Sequence, residues 1–251
     1  MMKLLPTIIV VLLLSAACTP ASACLPNCPG ADLRSVDLQS ANLRGANLSG
    51  ANLSGPLSGG VNLSGADLRD ADLSNANLSG ADLSGADLRG ANLSNANLNG
   101  AFLLNTTLDD STQLAEPWRL VWQIVNHGGA GQNLQGIDLR HANLWGADLR
   151  SANLQGANLS HANLNQANLQ AADLRGATLG FANLRSANLQ AANLSGAALQ
   201  WADVRDADLS GANLNDVDAR GAWLQAARFD GAAQENIQLA GAVLPDGSRS
   251  Q

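Results

Sequence analysis

Three histidines, His127, His141 and His161, are the chain's only imidazoles and set the range of chemistry on offer. His141 and His161 stand twenty residues apart, and Phe181 and Trp201 continue the same interval. Two imidazoles without a third donor bind a metal weakly, and Asp138 is not placed clearly within reach. No serine has a histidine and a carboxylate set beside it by sequence, so no nucleophile–base pair is indicated. His127 ends a short amphipathic segment, where a cation complements a helix C-terminus. Aspartates recur as part of a regular pattern and do not mark an acid–base dyad. The glycines also follow that pattern and do not build a phosphate loop. These residues point away from an enzyme, with no catalytic residue, resident metal or cofactor expected. What remains is a column of rings, His141, His161, Phe181 and Trp201, suited to contact rather than catalysis. By the same count Trp145 and Trp223 fall on the adjacent face.

The interval of twenty comes from a shorter one. From Ala31 the chain reads Ala-Asp-Leu-Arg-Ser, Val-Asp-Leu-Gln-Ser, Ala-Asn-Leu-Arg-Gly, and leucine returns every fifth residue. One run extends to Leu108 and a second from Leu134 to Leu244. A period of five fits neither an α-helix nor a strand, so the chain must turn once per repeat. Four repeats close a square coil, with leucine and the alanine two places before it pointing to the axis. Asn or Asp before each leucine can hydrogen-bond local backbone, and Gly or Ser suits the corner. The runs amount to about four and six coils. Residues twenty apart then stack in columns. Asp67 lies over Asp87 and Arg69 over Arg89, a solvated ladder of mixed sign. With leucine and alanine filling the axis, no ligand-sized pocket is expected.

The pattern resembles the pentapeptide-repeat family, with its A(D/N)LXX motif, over about 31–110 and 132–244. The resemblance implies an all-β repeat solenoid, a right-handed quadrilateral β-helix in two runs joined by one short α-helix. Some members resemble B-form DNA in size and charge and act on DNA gyrase. The acidity of this chain, formally −7, fits that alternative, but its mixed charges do not. It has no basic face for nucleic acid. A glycan-binding module is a third reading, which the ring column permits. The leading expectation is a scaffold or interaction protein of unknown partner, and oligomeric state is left open.

The first residues read as a leader. Lys3 precedes an apolar stretch from Thr7 to Ala17 that is too short to span a bilayer. Leu14-Ser15-Ala16-Ala17-Cys18 resembles a bacterial lipobox, which would place lipid on Cys18. Ala21-Ser22-Ala23 fits ordinary signal peptidase. Both imply export, to the periplasm and cell envelope or to a thylakoid lumen. There Cys24 and Cys28 could pair at the solenoid entrance. The expected organisation is a leader over 1–23, a solenoid over 24–110, a helical linker or cap over 111–131, a second solenoid over 132–244 and a disordered tail over 245–251. Within the linker, Glu116–Asn126 reads as a helix with Trp118, Val121, Trp122 and Val125 as its apolar stripe. The segment Trp118–Gly131 also looks like an insert found between domains of cyanobacterial family members. A weaker break, from Gly55 to Gly60, reads as a loosened turn.

Overall fold

The computed structural model describes residues 27–55 and 59–251. Cys18, Cys24, the leader and the centre of the Gly55–Gly60 break lie outside the described residues. The chain divides into two compact units, Met1–Ala115 and Glu116–Gln251.

In both units parallel bridges join residues twenty apart, such as Asn47 with Asp67 and Asn143 with Asn163. The five-residue frame satisfies its own backbone. Leu164 N–H donates forward to Asn183 O at 2.7 Å, and Gln166 N–H donates forward to Arg185 O at 3.0 Å. Asn163 N–H donates backward to Ala142 O at 2.9 Å, and Ala167 N–H closes the corner turn on Leu164 O at 3.0 Å. The fifth donor, Asn165 N–H, is taken by the Asn163 side chain (Oδ1) at 3.2 Å. This explains the Asn or Asp in the frame: without it one amide per repeat would lack a partner. The corner residue sits at positive φ, as the second central residue of a type II turn must. Axis residues are sealed: Leu144, Leu164, Leu184, Ala142, Ala162 and Ala182 are all buried.

The frame starts one repeat earlier than its first leucine. Cys28 stands where a leucine would, buried and disulfide-bonded, and its N–H donates to Asn47 O. Unit 1 also runs past Leu108. Asn92 bridges Gln113, twenty-one residues on, so one extra residue enters after Thr107. Asp109 gathers that bulge. Its Oδ1 accepts from Ser111 N–H and Oγ, from Thr112 N–H and Oγ1, and from Gly90 N–H.

Unit 2 opens with helix α1, Trp118–His127. Its buried residues are Val121 and Ile124, so the expected stripe is turned toward Ile124. The cause is Gly129, which occupies a leucine position of the frame. A Cβ there would lie 2.8 Å from Leu149 Cδ2 and 3.4 Å from Ile124 Cγ1. Ile124 thus lies beside the space that a leucine would have filled. The tail corrects a second expectation. Val243 and Arg249 form an antiparallel bridge, Leu244 N–H donates to Ser248 O, and Ser250 N–H donates to Ala242 O. The Pro-Asp-Gly-Ser composition that suggests disorder is that of a hairpin turn, with Gly247 at φ 84°.

Charges pair within a repeat before they pair between coils. Arg69 Nε and Nη2 donate to the two Asp67 oxygens at 2.8 and 2.6 Å, while Asp87 is 3.9 Å away. The fork recurs in the Asp-Leu-Arg triplets at Asp138/Arg140 and Asp148/Arg150, and in Asp218-Ala219-Arg220. The Arg220 guanidinium is the main reason that the Asp218 carboxyl is held down to about 2. An unfolded aspartate titrates near 3.9. Carboxylates held lower stabilise the fold above that value, and the contribution is lost as pH falls from about 4 toward 2. The melting temperature is therefore expected to stay level from about pH 8 to 5 and to drop between about 4 and 2. Salt should shrink the drop, because the pairs are exposed. A drop centred between pH 7 and 5 in thermal melts would contradict this assignment.

Candidate functional site

Four corner columns run along unit 2. Three carry mainly Gly, Ser, Ala, Asp, Asn or Gln. The fourth carries His141, His161, Phe181 and Trp201, with φ of 59°, 60°, 58° and 61°. Such angles cost a bulky L-residue roughly 1 kcal/mol each. The coil ladder imposes them: the N–H groups of these residues donate to Ser160, Gly180, Gln200 and Arg220 carbonyls.

The rings follow the coil spacing of about 4.8 Å. His141 and His161 stack with centroids 4.8 Å apart and planes at 15°, and His161 and Phe181 at 5.0 Å and 2°. No such stacking joins Trp201 to Phe181. Trp201 instead lies on Gly221, where a Cβ would meet its ring carbons at 2.6–2.8 Å. The expected stack of four is thus three rings, followed by an indole resting on a glycine. Gly221 follows Trp201 in the same column, so the interval of twenty already pointed to it. Phe181 is 58% and Trp201 60% exposed.

The next face adds to the strip. Asn163 Nδ2 donates to Asn143 Oδ1 at 3.1 Å and Asn183 Nδ2 to Asn163 Oδ1 at 3.2 Å, an amide ladder along the axis. Trp145 and Trp223 are exposed on that face, and the Arg205 guanidinium lies 4.9 Å from the Trp223 ring centroid. Arg205 is itself forked onto Asp203 at 2.8 and 2.6 Å.

The other candidates have structural surroundings. His127 meets Trp122 edge-on at 5.0 Å within α1. Asp138 is engaged by Arg140 rather than by a histidine pair. Among the described residues no group of three or more His, Cys, Asp or Glu could hold a metal ion.

Comparison with known proteins places this geometry. The family model described as pentapeptide repeats matches in 8 copies, over residues 26–55, 59–95, 86–112, 133–170, 152–190 and 192–231. HetL, a pentapeptide repeat protein involved in heterocyst differentiation regulation from the cyanobacterium Nostoc sp. strain PCC 7120, is 33% identical. That match covers 92% of this chain and 96% of HetL, with a TM-score of 0.29. A pentapeptide repeat protein of the Arabidopsis thaliana thylakoid lumen is 31% identical over 39% of this chain and 68% of its own, with a TM-score of 0.24. QnrB1, a plasmid-mediated fluoroquinolone resistance protein, is 19% identical over 72% of this chain and 87% of its own, with a TM-score of 0.33. A search of curated proteins gave no match. Proteins of this repeat form right-handed β-helices and generally serve as structural or interaction modules. With the repeat model spanning most of its length and HetL aligned almost end to end, the chain belongs to the pentapeptide-repeat family.

Proposed function

We propose that this chain is an exported, non-enzymatic protein-interaction module, and that its contact surface is the ring strip of unit 2. One observation carries the reading. A single corner of the four spends left-handed backbone on His, His, Phe and Trp, and leaves Phe181 and Trp201 more than half exposed. Strained, exposed aromatic positions cluster where proteins bind. A protein partner is favoured over a glycan by ring orientation. His141, His161 and Phe181 turn their faces to one another and their edges outward, whereas a sugar stacks on an open face. Charge pairing within repeats argues against an acidic stripe of the kind that DNA mimicry needs. The disulfide at Cys28 supports an oxidising compartment.

A photo-crosslinking residue at Phe181, in cells expressing the full chain, is expected to give a discrete adduct. The same residue at Asn95, a corner of unit 1, is expected to give none. Equal adducts from both positions, or none from Phe181, would remove the strip from the function. The mass of the recovered chain tests export: cleavage after Ala23 or lipid on Cys18 agrees with it, and a full-length product ends it.

A further inference from the structure

The geometry points to a second copy of this chain as the partner that covers the ring strip, seated in a groove on the diagonally opposite corner of unit 2. This rests on the reading that the strip is a contact surface, and it commits that surface to one occupant.

Two repeats separate diagonal corners, so the column opposite the rings lies ten residues earlier: Gly131, Ser151, Ala171 and Ala191. These residues line an open groove of about 540 Å³, with Arg150 and Gln170 along its side. Strip and groove each span three coil intervals, roughly 14 Å at sheet spacing. The strip carries two imidazoles and two exposed apolar rings, and the groove is lined by small side chains. They share a period because the same coils build both. Rings that recur every coil on one copy therefore face small corner residues that recur every coil on another.

The groove also offers a specific contact for an incoming ring. Arg150 is forked onto Asp148 through Nε and Nη2 at 2.9 and 2.7 Å, and its side chain is 54% exposed. Arg205, held on Asp203 by the same fork, lies over the Trp223 ring within this molecule. Arg150 presents the same anchored guanidinium plane to a Phe181 or Trp201 arriving from a neighbour, a cation–π contact. Strip and groove occupy different corners, so one copy contacts two neighbours. The contact is heterologous and builds open rows rather than closed pairs.

Sedimentation velocity on the full chain tests this. The wild type is expected to form species that grow past the dimer as concentration rises. A strip variant, Phe181→Ser with Trp201→Ser, and a groove variant, Ala171→Arg, are each expected to remain monomeric. All three positions are exposed corners, and unchanged thermal melts would show that the fold is intact. An equimolar mixture of the two variants is expected to give dimers and nothing larger. In that mixture one intact strip meets one intact groove and no surface is left to extend. A monomeric wild type at every concentration, or a mixture that stays monomeric, overturns the inference. A monomeric wild type together with a Phe181 adduct to a different protein would overturn self-docking and leave the contact surface standing.

Discussion

Replacing Leu164 by alanine is expected to lower the unfolding free energy of unit 2 by about 3–5 kcal/mol, the upper range for a buried leucine. Leu164 is fully buried in an axial column between Leu144 and Leu184, which are equally buried. The cost of such a deletion depends on how far the surroundings can collapse. Here they are pinned, because the backbone on both sides of the column is tied to neighbouring coils at 2.7–2.9 Å. The methyl groups lost leave a void that no side chain can enter. The chain carries a convenient reporter. All five tryptophans, Trp118, Trp122, Trp145, Trp201 and Trp223, belong to unit 2, so their fluorescence follows that unit alone during denaturation. A loss below about 1 kcal/mol would mean that the coils can close on the gap, and the picture of a rigid, interlocked axis would be wrong.

Restoring the repeat consensus at Gly129 is expected to weaken the protein. A leucine belongs at that frame position, yet Gly129→Leu should cost about 2–4 kcal/mol. Its Cβ would start 2.8 Å from Leu149 Cδ2, and the rest of the side chain would compete with Ile124 for one space. The new leucine would displace α1 and expose Val121 and Ile124, both now buried. Hydrogen exchange across 118–128 should rise by orders of magnitude while exchange in the central coils stays slow. Increased stability, with exchange in α1 unchanged, would show that Ile124 is incidental to the end of the unit.

These two sites mark how far the sequence could be read. The Leu164 column was legible because a period of five admits only one set of axial residues. The role of Asn or Asp in the frame was legible from side-chain chemistry, since either can accept from a nearby backbone N–H. The stripe of α1 was not. Trp118, Val121, Trp122 and Val125 satisfy helical spacing, but so does Val121 with Ile124, and the choice is made by a missing side chain at Gly129. Cys28 is not legible as an axial residue, because Pro26-Asn27-Cys28 lacks both alanine and leucine. The phase slip after Leu108 was visible as arithmetic only; the structure locates the extra residue beside Asp109, and twenty residues then separate Leu114 from Leu134. The ring column was legible as a column. The departure of Trp201 was not, since the interval of twenty puts Phe181 and Gly221 on either side of it and does not say which of them the indole lies on.

The hydrogen bonds between coils do not cancel in direction. In each repeat two N–H groups, those of the leucine and of the corner residue, point toward the later coil, and one, that of the Asn or Asp, points back. The surplus peptide dipoles align along the axis with their positive ends toward the C-terminus, the reverse of an α-helix. A solenoid of this kind therefore has electrical polarity, and the end that welcomes an anion is its last coil rather than its first. Asp109 occupies that position in unit 1. It takes the forward-pointing Gly90 N–H, and its carboxyl is held to about 2, first by the Ser111 hydroxyl and next by that amide.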